Sequence, residues 1–248
     1  MRYKEYELDL LEVESAHKRN TSPYRFWYND IKKKALENDG DILEFGVYRG
    51  RSLITAALIL KQLKSKKTIY GFDTFAGLPL KTNFDDFKNF QNKKYFSKKI
   101  SDEHKKYIKL KKYITGINNL NTYNISVSGK FRNSSYDFVK KKIKYFNLDN
   151  IKLIKGDFTK TLPIFFKSND INISSVNIDS DLYDGYRVIL QNVYKRLSKN
   201  GYIFLDEYYS LKFPGPKIAV DNFCKKSKIK ILKHKVRKEE FQRYYLKK

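Results

Sequence analysis

Five short apolar runs in this chain end on an acid, a glycine or both: Glu44 with Gly46, Asp73, Gly156-Asp157, Asp179, and Asp206-Glu207. One acid in such a place is cheap coincidence, but five such ends form a pattern. If the runs are parallel strands, their carboxyl ends share one rim, where open α/β sheets hold ligands. The stretch Glu44-x-Gly46-x-x-x-Gly50 is not the G-x-G-x-x-G dinucleotide fingerprint. Glycine at 46 lets the backbone turn sharply and come close to a ligand. An acid two residues earlier is wrong for cradling pyrophosphate and suits a ligand carrying an ammonium, or a backbone network. Asp73 stands where doubly wound folds set a carboxylate on ribose hydroxyls. Together these describe a nucleoside with a cationic tail and no phosphate, a character that S-adenosylmethionine has. The competing reading of the glycine motif is a tight strand-to-helix turn with a surface acid.

Asp179, Asp206 and Glu207 form a second constellation. Two adjacent strand ends bring three carboxylates together, and unpaired carboxylates repel. A hard cation such as Mg²⁺ relieves that repulsion, takes oxygen ligands and keeps positions open for water or substrate oxygens. It would chelate a substrate hydroxyl and lower its pKa. The alternative is that these acids pair with the abundant Lys and Arg. His17, His104 and His234 lack metal-ligand spacing, and no Gly-x-Ser-x-Gly elbow, Walker loop or zinc signature occurs. Serine-hydrolase chemistry has no support.

The elements that must position these residues follow from periodicity. Runs at 41–47, 68–73, 151–156, 175–179 and 201–206 are short and apolar, as buried strands are. Leu53, Ala56, Ala57, Leu60 and Leu63 repeat at helical spacing, and Leu182, Tyr186, Ile189, Leu190, Val193 and Leu197 mark one face of another helix. Alternating strands and helices predict an α/β protein with a doubly wound, mostly parallel sheet. Runs at 229–236 and 241–246 flank Arg237-Lys238-Glu239 and read as a closing antiparallel hairpin. Residues 1–40 read as a cap of two helices. The first carries Leu8, Leu11 and Val13; the second opens at Ser22-Pro23 and closes at Asn38-Asp39-Gly40. The stretch 80–150 is too long for a simple crossover. Its crossover helix falls at 134–146, leaving 80–130 as a lid-like insertion over the rim. Residues 1–248 form a single domain in this reading.

Composition bounds the classes. The 248 residues carry 52 Lys+Arg against 27 Asp+Glu, a formal net charge of +25. Hydrophobic residues at 41% and aromatics at 16% supply a core, which excludes disorder throughout. The single Cys224 excludes an intramolecular disulfide framework and a cysteine-rich zinc module. The N-terminal stretch is charged throughout, without the apolar region of a signal peptide. The apolar-rich run at 53–60 is far short of the roughly 20 residues a membrane helix needs. A cytoplasmic location is the expectation. Positive charge supplies the non-specific part of nucleic-acid binding. Yet plentiful Lys, Asn, Ile and Tyr with few Gly and Pro are also what AT-rich coding produces.

The motifs ILEFGVYRGRS (42–52), YGFDTFAGLP (70–79), IKLIKGDFTKTLP (151–163), VNIDSDLYDGY (176–186) and GYIFLDEYYSLKFPGPKIAVDNF (201–223) resemble the macrocin O-methyltransferase (TylF/MycF) family. They come in the family's order across roughly residues 40–223. The resemblance implies a class I methyltransferase fold with a Rossmann-like, seven-stranded sheet. It also implies S-adenosylmethionine as donor and Mg²⁺-assisted transfer to a hydroxyl, often on a sugar. By that resemblance Glu44, Gly46, Tyr48 and Gly50 line the methionine end of the donor, with Ser52 beside them. Asp73 holds the ribose, and Gly156, Asp157 and Phe158 border the adenine. Asp179, Asp206 and Glu207 match the metal positions, and Asp179, counted with the donor site as well, carries the metal-assisted catalytic role. Two departures matter. The family usually shows paired aspartates where this chain has Asp206-Glu207. In related catechol-type enzymes a lysine lies three residues beyond the first metal aspartate, and here that position is Leu182. The general base is therefore unassigned.

Methyl transfer is an in-line displacement on a sulfonium, so the protein contributes positioning and charge stabilisation. Phe26, Trp27, Tyr28 and the aromatics of the insertion could stack on a sugar, although core packing is the commoner fate. The acceptor expected is a hydroxyl of a sugar or glycosylated small molecule, and the excess of Lys and Arg favours an anionic one. An RNA acceptor bound by the basic surface, or a non-catalytic nucleoside-binding module, are the other readings. Oligomeric state is left open.

Overall fold

The computed structural model describes residues 13, 22–37, 39–126, 130–238 and 240–248. Seven strands form one sheet: β1 Asp41–Phe45, β2 Ile69–Asp73, β3 Ile151–Lys155, β4 Ile173–Ile178, β5 Leu197–Leu205, β6 Leu232–Lys233 and β7 Tyr244–Lys247. Their spatial order is β3-β2-β1-β4-β5-β7-β6. The first five run parallel, and β7 pairs antiparallel with both β5 and β6. The chain works outward from β1 through β2 to β3, then returns to place β4 on the other flank of β1. The order therefore reverses between β1 and β4, and a crevice opens there at the carboxyl ends of the strands.

Helices cover both faces: α1 Arg25–Lys34, α2 Arg51–Gln62, α3 Lys98–Thr115, α4 Tyr136–Tyr145, α5 Phe158–Ser168, α6 Tyr183–Val193 and α7 Gly215–Ser227. Because side chains alternate along a strand, Leu43 and Phe45 join one core with α5, α6 and α7. Ile42 joins the other, with Trp27, Ile31, Leu53 and Leu60 from α1 and α2. Every residue of β4 is buried, polar ones included. Ser174 donates to Gly40 O at 3.0 Å and Ser175 to Asp30 Oδ2 at 2.7 Å, so those hydroxyls are satisfied. The buried Lys34 ammonium donates to Asp30 Oδ2, Ser174 O and Asn200 O, each at 3.0 Å, and so moors α1 to the sheet.

Several boundaries differ from the sequence expectation. Ser22 accepts from Tyr24 N at 3.2 Å, but the regular helix starts at Arg25 and ends at Lys34, ahead of Asp39-Gly40. The expected first helix lies outside the described residues except Val13, which is buried in the second core. The terminal hairpin is present but short, since β6 has two residues. In the insertion, 3-10 turns at Asn83–Asp85 and Phe87–Gln91 precede the 18-residue α3. Its helical signal is weak in sequence because His104 is its one buried residue. Caps delimit it instead: Ser97 accepts from Ile100 N at 3.4 Å, and Gly116 ends it in the left-handed conformation. Asp85 ties the insertion to α6, accepting from Tyr183 N at 2.8 Å.

The carboxyl ends of β1 and β4 meet at Gly46. Asp179 N donates to Phe45 O at 2.8 Å, and a Cβ on Gly46 would sit 1.8 Å from Asp179 O. Its φ of +93° is also costly for any residue with a side chain. Gly46→Ala is expected to lose about 3 kcal/mol or more, read as a lower urea midpoint.

Candidate active site

A cavity of about 750 Å³ opens at the β1/β4 crevice. Of the residues singled out in sequence, Gly46, Tyr48, Asp73, Asp157, Phe158, Asp179, Asp206 and Glu207 line it. Asp73 is held at the end of β2 by two backbone donors, Tyr48 N to Oδ2 at 2.7 Å and Phe75 N to Oδ1 at 2.6 Å. Tyr48 and Phe75 both have positive φ, so the two loops are bent around this carboxylate. Asp157 caps α5 by accepting from Thr159 N at 2.9 Å, which fixes Phe158 against Phe45 with ring centroids 5.7 Å apart.

Glu44, Gly50, Ser52 and Gly156 stand behind that wall rather than on it. Gly50 has φ +83° where α2 begins and packs against Val139, while Gly156 donates its N–H to Asp73 O at 2.8 Å. Glu44 is fully buried on the α1/α2 side of β1 and accepts from Asn177 Nδ2 at 2.9 Å. Burial pushes its carboxyl up to about 8, against hydrogen bonds from Ser52 and Asn177. Glu44 Oε2 and Asn177 Oδ1 are both buried acceptors without a partner among the described residues. A proton on Glu44 turns one of the two into a donor.

At the other side of the cavity, carboxylate oxygens of Asp179, Asp181 and Glu207 lie within 4.8 Å of one another. Burial, then the charge of Asp206, raises Asp179 to about 6. Burial and the charge of Asp179 lift Asp181 and Glu207 well above the carboxylate range. Asp206 lines the cavity too, but Arg243 Nη1 holds its Oδ1 at 3.1 Å. Thus the metal candidates Asp179 and Glu207 come together with Asp181, while Asp206 faces a guanidinium. Tyr186 buttresses the cluster, its hydroxyl lying 2.8 Å from Ile178 O and 2.7 Å from Glu207 Oε2.

Sequence reasoning missed Tyr24, Ser180, Asp181 and Arg243, all on the cavity wall. Asp181 had a signal: it is the second acid of Asp179-Ser180-Asp181, and its φ of +59° marks a strained site. Tyr24 had none. It comes from α1's leading turn and donates to Asp179 Oδ2 at 2.5 Å. Its neighbours Trp27 and Tyr28 are core residues, and Phe26 stacks on His234 at 4.0 Å. His104 is buried against Phe90 and bonds Leu211 O through Nδ1 at 2.8 Å; His17 lies outside the described residues. Cys224 is buried, and burial pushes its thiol up to about 12.

A parallel five-stranded core with an antiparallel strand pair at one edge and an acid-lined switch-point cavity defines the α/β class I methyltransferase fold. The chain belongs to the macrocin-O-methyltransferase (TylF) family, whose family model matches residues 28–112 and 122–240. It is 26% identical to mycinamicin III 3''-O-methyltransferase of Micromonospora griseorubida over 172 residues, 68% of this chain and 55% of that protein. The chain thus spans little more than half the length of the curated relatives it matches. Among solved structures, the O-methyltransferase NovP superposes with a TM-score of 0.60 at 20% identity, covering 94% of this chain and 78% of NovP. CalS11, a TDP-rhamnose 3'-O-methyltransferase, superposes at 0.53 and 16% identity, covering 100% of this chain and 96% of that one. These two likenesses concern the fold. No helix among the described residues is long and apolar enough to cross a membrane.

The Glu44 shift carries a sign. Its carboxyl is raised from 4.5 to about 8, so the folded state binds the extra proton and stability falls as pH rises across that window. Glu44→Gln keeps the shape and supplies a permanent donor. Its melting temperature relative to the parent is expected to rise by several degrees between about pH 5 and about pH 9, read by differential scanning fluorimetry.

Proposed function

We propose that this chain is an S-adenosylmethionine-dependent O-methyltransferase acting on a hydroxyl of a sugar or glycosylated small molecule, with Mg²⁺ assisting. One observation carries the reading: a single cavity has the Asp73 carboxylate on one wall and the crowded Asp179, Asp181 and Glu207 carboxylates on another. Family membership and the named acceptor of CalS11, a nucleotide-linked sugar, support the acceptor class.

The residues present fit both groups. The cavity volume is in the range of small-ligand sites, and Ser180 Oγ on its wall is buried without a partner among the described residues. Asp73, held by two N–H donors, keeps lone pairs for ribose hydroxyls, and Asp157 and Phe158 border the base. For the metal, Asp179, Asp181 and Glu207 crowd their oxygens together, and burial first, then neighbouring acids, raises their pKa values, a cost that a hard divalent cation relieves. When bound, Mg²⁺ supplies Lewis acidity that makes the acceptor hydroxyl easier to deprotonate.

Asp179 and Glu207 hold the cation in this reading. Asp206, the third ligand expected from sequence, is paired with Arg243 instead and would have to leave it to serve as a ligand. Asp181, beside Asp179 and Glu207, would take the acceptor's proton in its ionised form, which a cation held by its neighbours would favour against the burial that raises its pKa. Tyr24 fixes Asp179 through its hydroxyl. The 80–130 insertion serves as the lid, contributing Leu80 and Tyr107 to the wall. Lys160 and Lys212, also on the wall, favour an anionic acceptor. A cytoplasmic location accords with such a substrate.

Isothermal titration with S-adenosylmethionine is expected to give saturable one-site binding, and its absence would sink the enzyme reading. Methyl transfer from labelled donor is expected to a panel of nucleotide-linked deoxysugars and not to RNA; labelled RNA with unlabelled sugars would overturn the acceptor. Glu207→Gln, or chelation by EDTA, is expected to cut turnover by about 100-fold or more while donor affinity stays within a few-fold. Undiminished turnover after either treatment removes the metal from the reaction.

A further inference from the structure

We propose that the end of α3 is a docking element that seats the protein on an anionic lipid surface, beside the mouth of the cavity. Leu110, Tyr113, Ile114 and Ile117 are 56%, 88%, 67% and 40% exposed. Their spacing of three, four and seven residues puts the first three on one stripe of the helix, with Ile117 just beyond its Gly116 stop. Single exposed apolar residues are ordinary, but a contiguous stripe on a surface helix marks an interaction face. Residues 112–119 are all exposed, so this end of the insertion projects from the body of the protein.

Charge identifies the occupant. Lys105, Lys106, Lys109 and Lys112 are exposed around the stripe, and the sequence has no acid between Glu103 and Asp137. An apolar stripe flanked by lysines is the pattern of a helix lying in the interface of an anionic bilayer. The alternatives match it less well. A second copy would bring lysines against lysines in chains of net charge +25. RNA would take the lysines and leave Leu110, Tyr113 and Ile114 in water.

The stripe also continues to the proposed site. Tyr107, three residues before Leu110 and seven before Ile114, lines the cavity. Leu80 and Phe241, which are 90% and 63% exposed, line it too. A surface that takes up the stripe therefore lies next to the opening. The inference does not depend on the reaction and fails or stands separately from it.

The test uses the full chain with vesicles of phosphatidylcholine alone or with about one quarter phosphatidylglycerol. Co-sedimentation is expected with the anionic vesicles and to be at least about tenfold weaker with neutral ones. The Leu110→Ser/Tyr113→Ser/Ile114→Ser variant is expected to lose at least about tenfold in binding to anionic vesicles while keeping its melting temperature. Tyr113→Trp is expected to show blue-shifted emission when anionic vesicles are added, against the constant signal of buried Trp27. Undiminished vesicle binding by the triple variant would mean charge alone and overturn the proposal. So would no parent binding, an unshifted emission spectrum of the Tyr113→Trp variant, or a parent dimer that the triple variant dissolves. Displacement from vesicles by a short RNA that binds parent and triple variant equally would assign the face to nucleic acid instead.

Discussion

The close approach of two strand ends governs this molecule. Where β1 stops and β4 stops, the backbone of Gly46 lies against the carbonyl of Asp179, with no room for even a methyl group between them. The Asp179 N–H bonded to Phe45 O is the last rung before the two chains diverge. From that point β1 turns toward Tyr48 and the Asp73 carboxylate, and β4 turns toward Asp179, Ser180 and Asp181. Both halves of the cavity wall are therefore set by one contact that only glycine permits.

A second constraint is electrostatic. Seven acids line one cavity in a chain of net charge +25, and four of them, Asp179, Asp181, Asp206 and Glu207, crowd one side of it. Long lysines on a surface stay hydrated and reach few buried acids, so overall charge does little for the cluster. The local solutions are specific: Arg243 neutralises Asp206, Tyr24 and Tyr186 donate to Asp179 and Glu207, and burial, with the remaining repulsion, raises the carboxyl pKa values. Such perturbed groups gathered in a cleft are the physical mark of a functional site. The surplus of positive charge lies elsewhere, with exposed lysines at the end of the insertion helix and Lys160 and Lys212 on the cavity wall.

Much of this was legible in the chain. Apolar runs ending on acids located five strands and their shared rim, because a buried parallel strand needs continuous apolar residues and its ligand must sit past its end. Tertiary packing overrode the local signals at the margins. Ser22-Pro23 marks a turn that leads into α1, and α3 is delimited by its caps because it buries little. Glu44 shows where local reading reaches its limit. Its type and position were plain, but the side it faces depends on strand alternation, and that side is the core beside Asn177 rather than the cavity.

The order of acids and glycines determined which fold this chain adopts and which strand ends meet at the cavity, since period and spacing are properties of the sequence itself. Which acids meet was decided only by the tertiary structure. Asp206 and Glu207 are neighbours in the chain, yet one turns to Arg243 and the other to Asp179. Tyr24, 155 residues from Asp179, reaches it because α1 is moored across the sheet. Contacts between distant residues depend on how whole elements pack, and no local pattern of side chains encodes that placement.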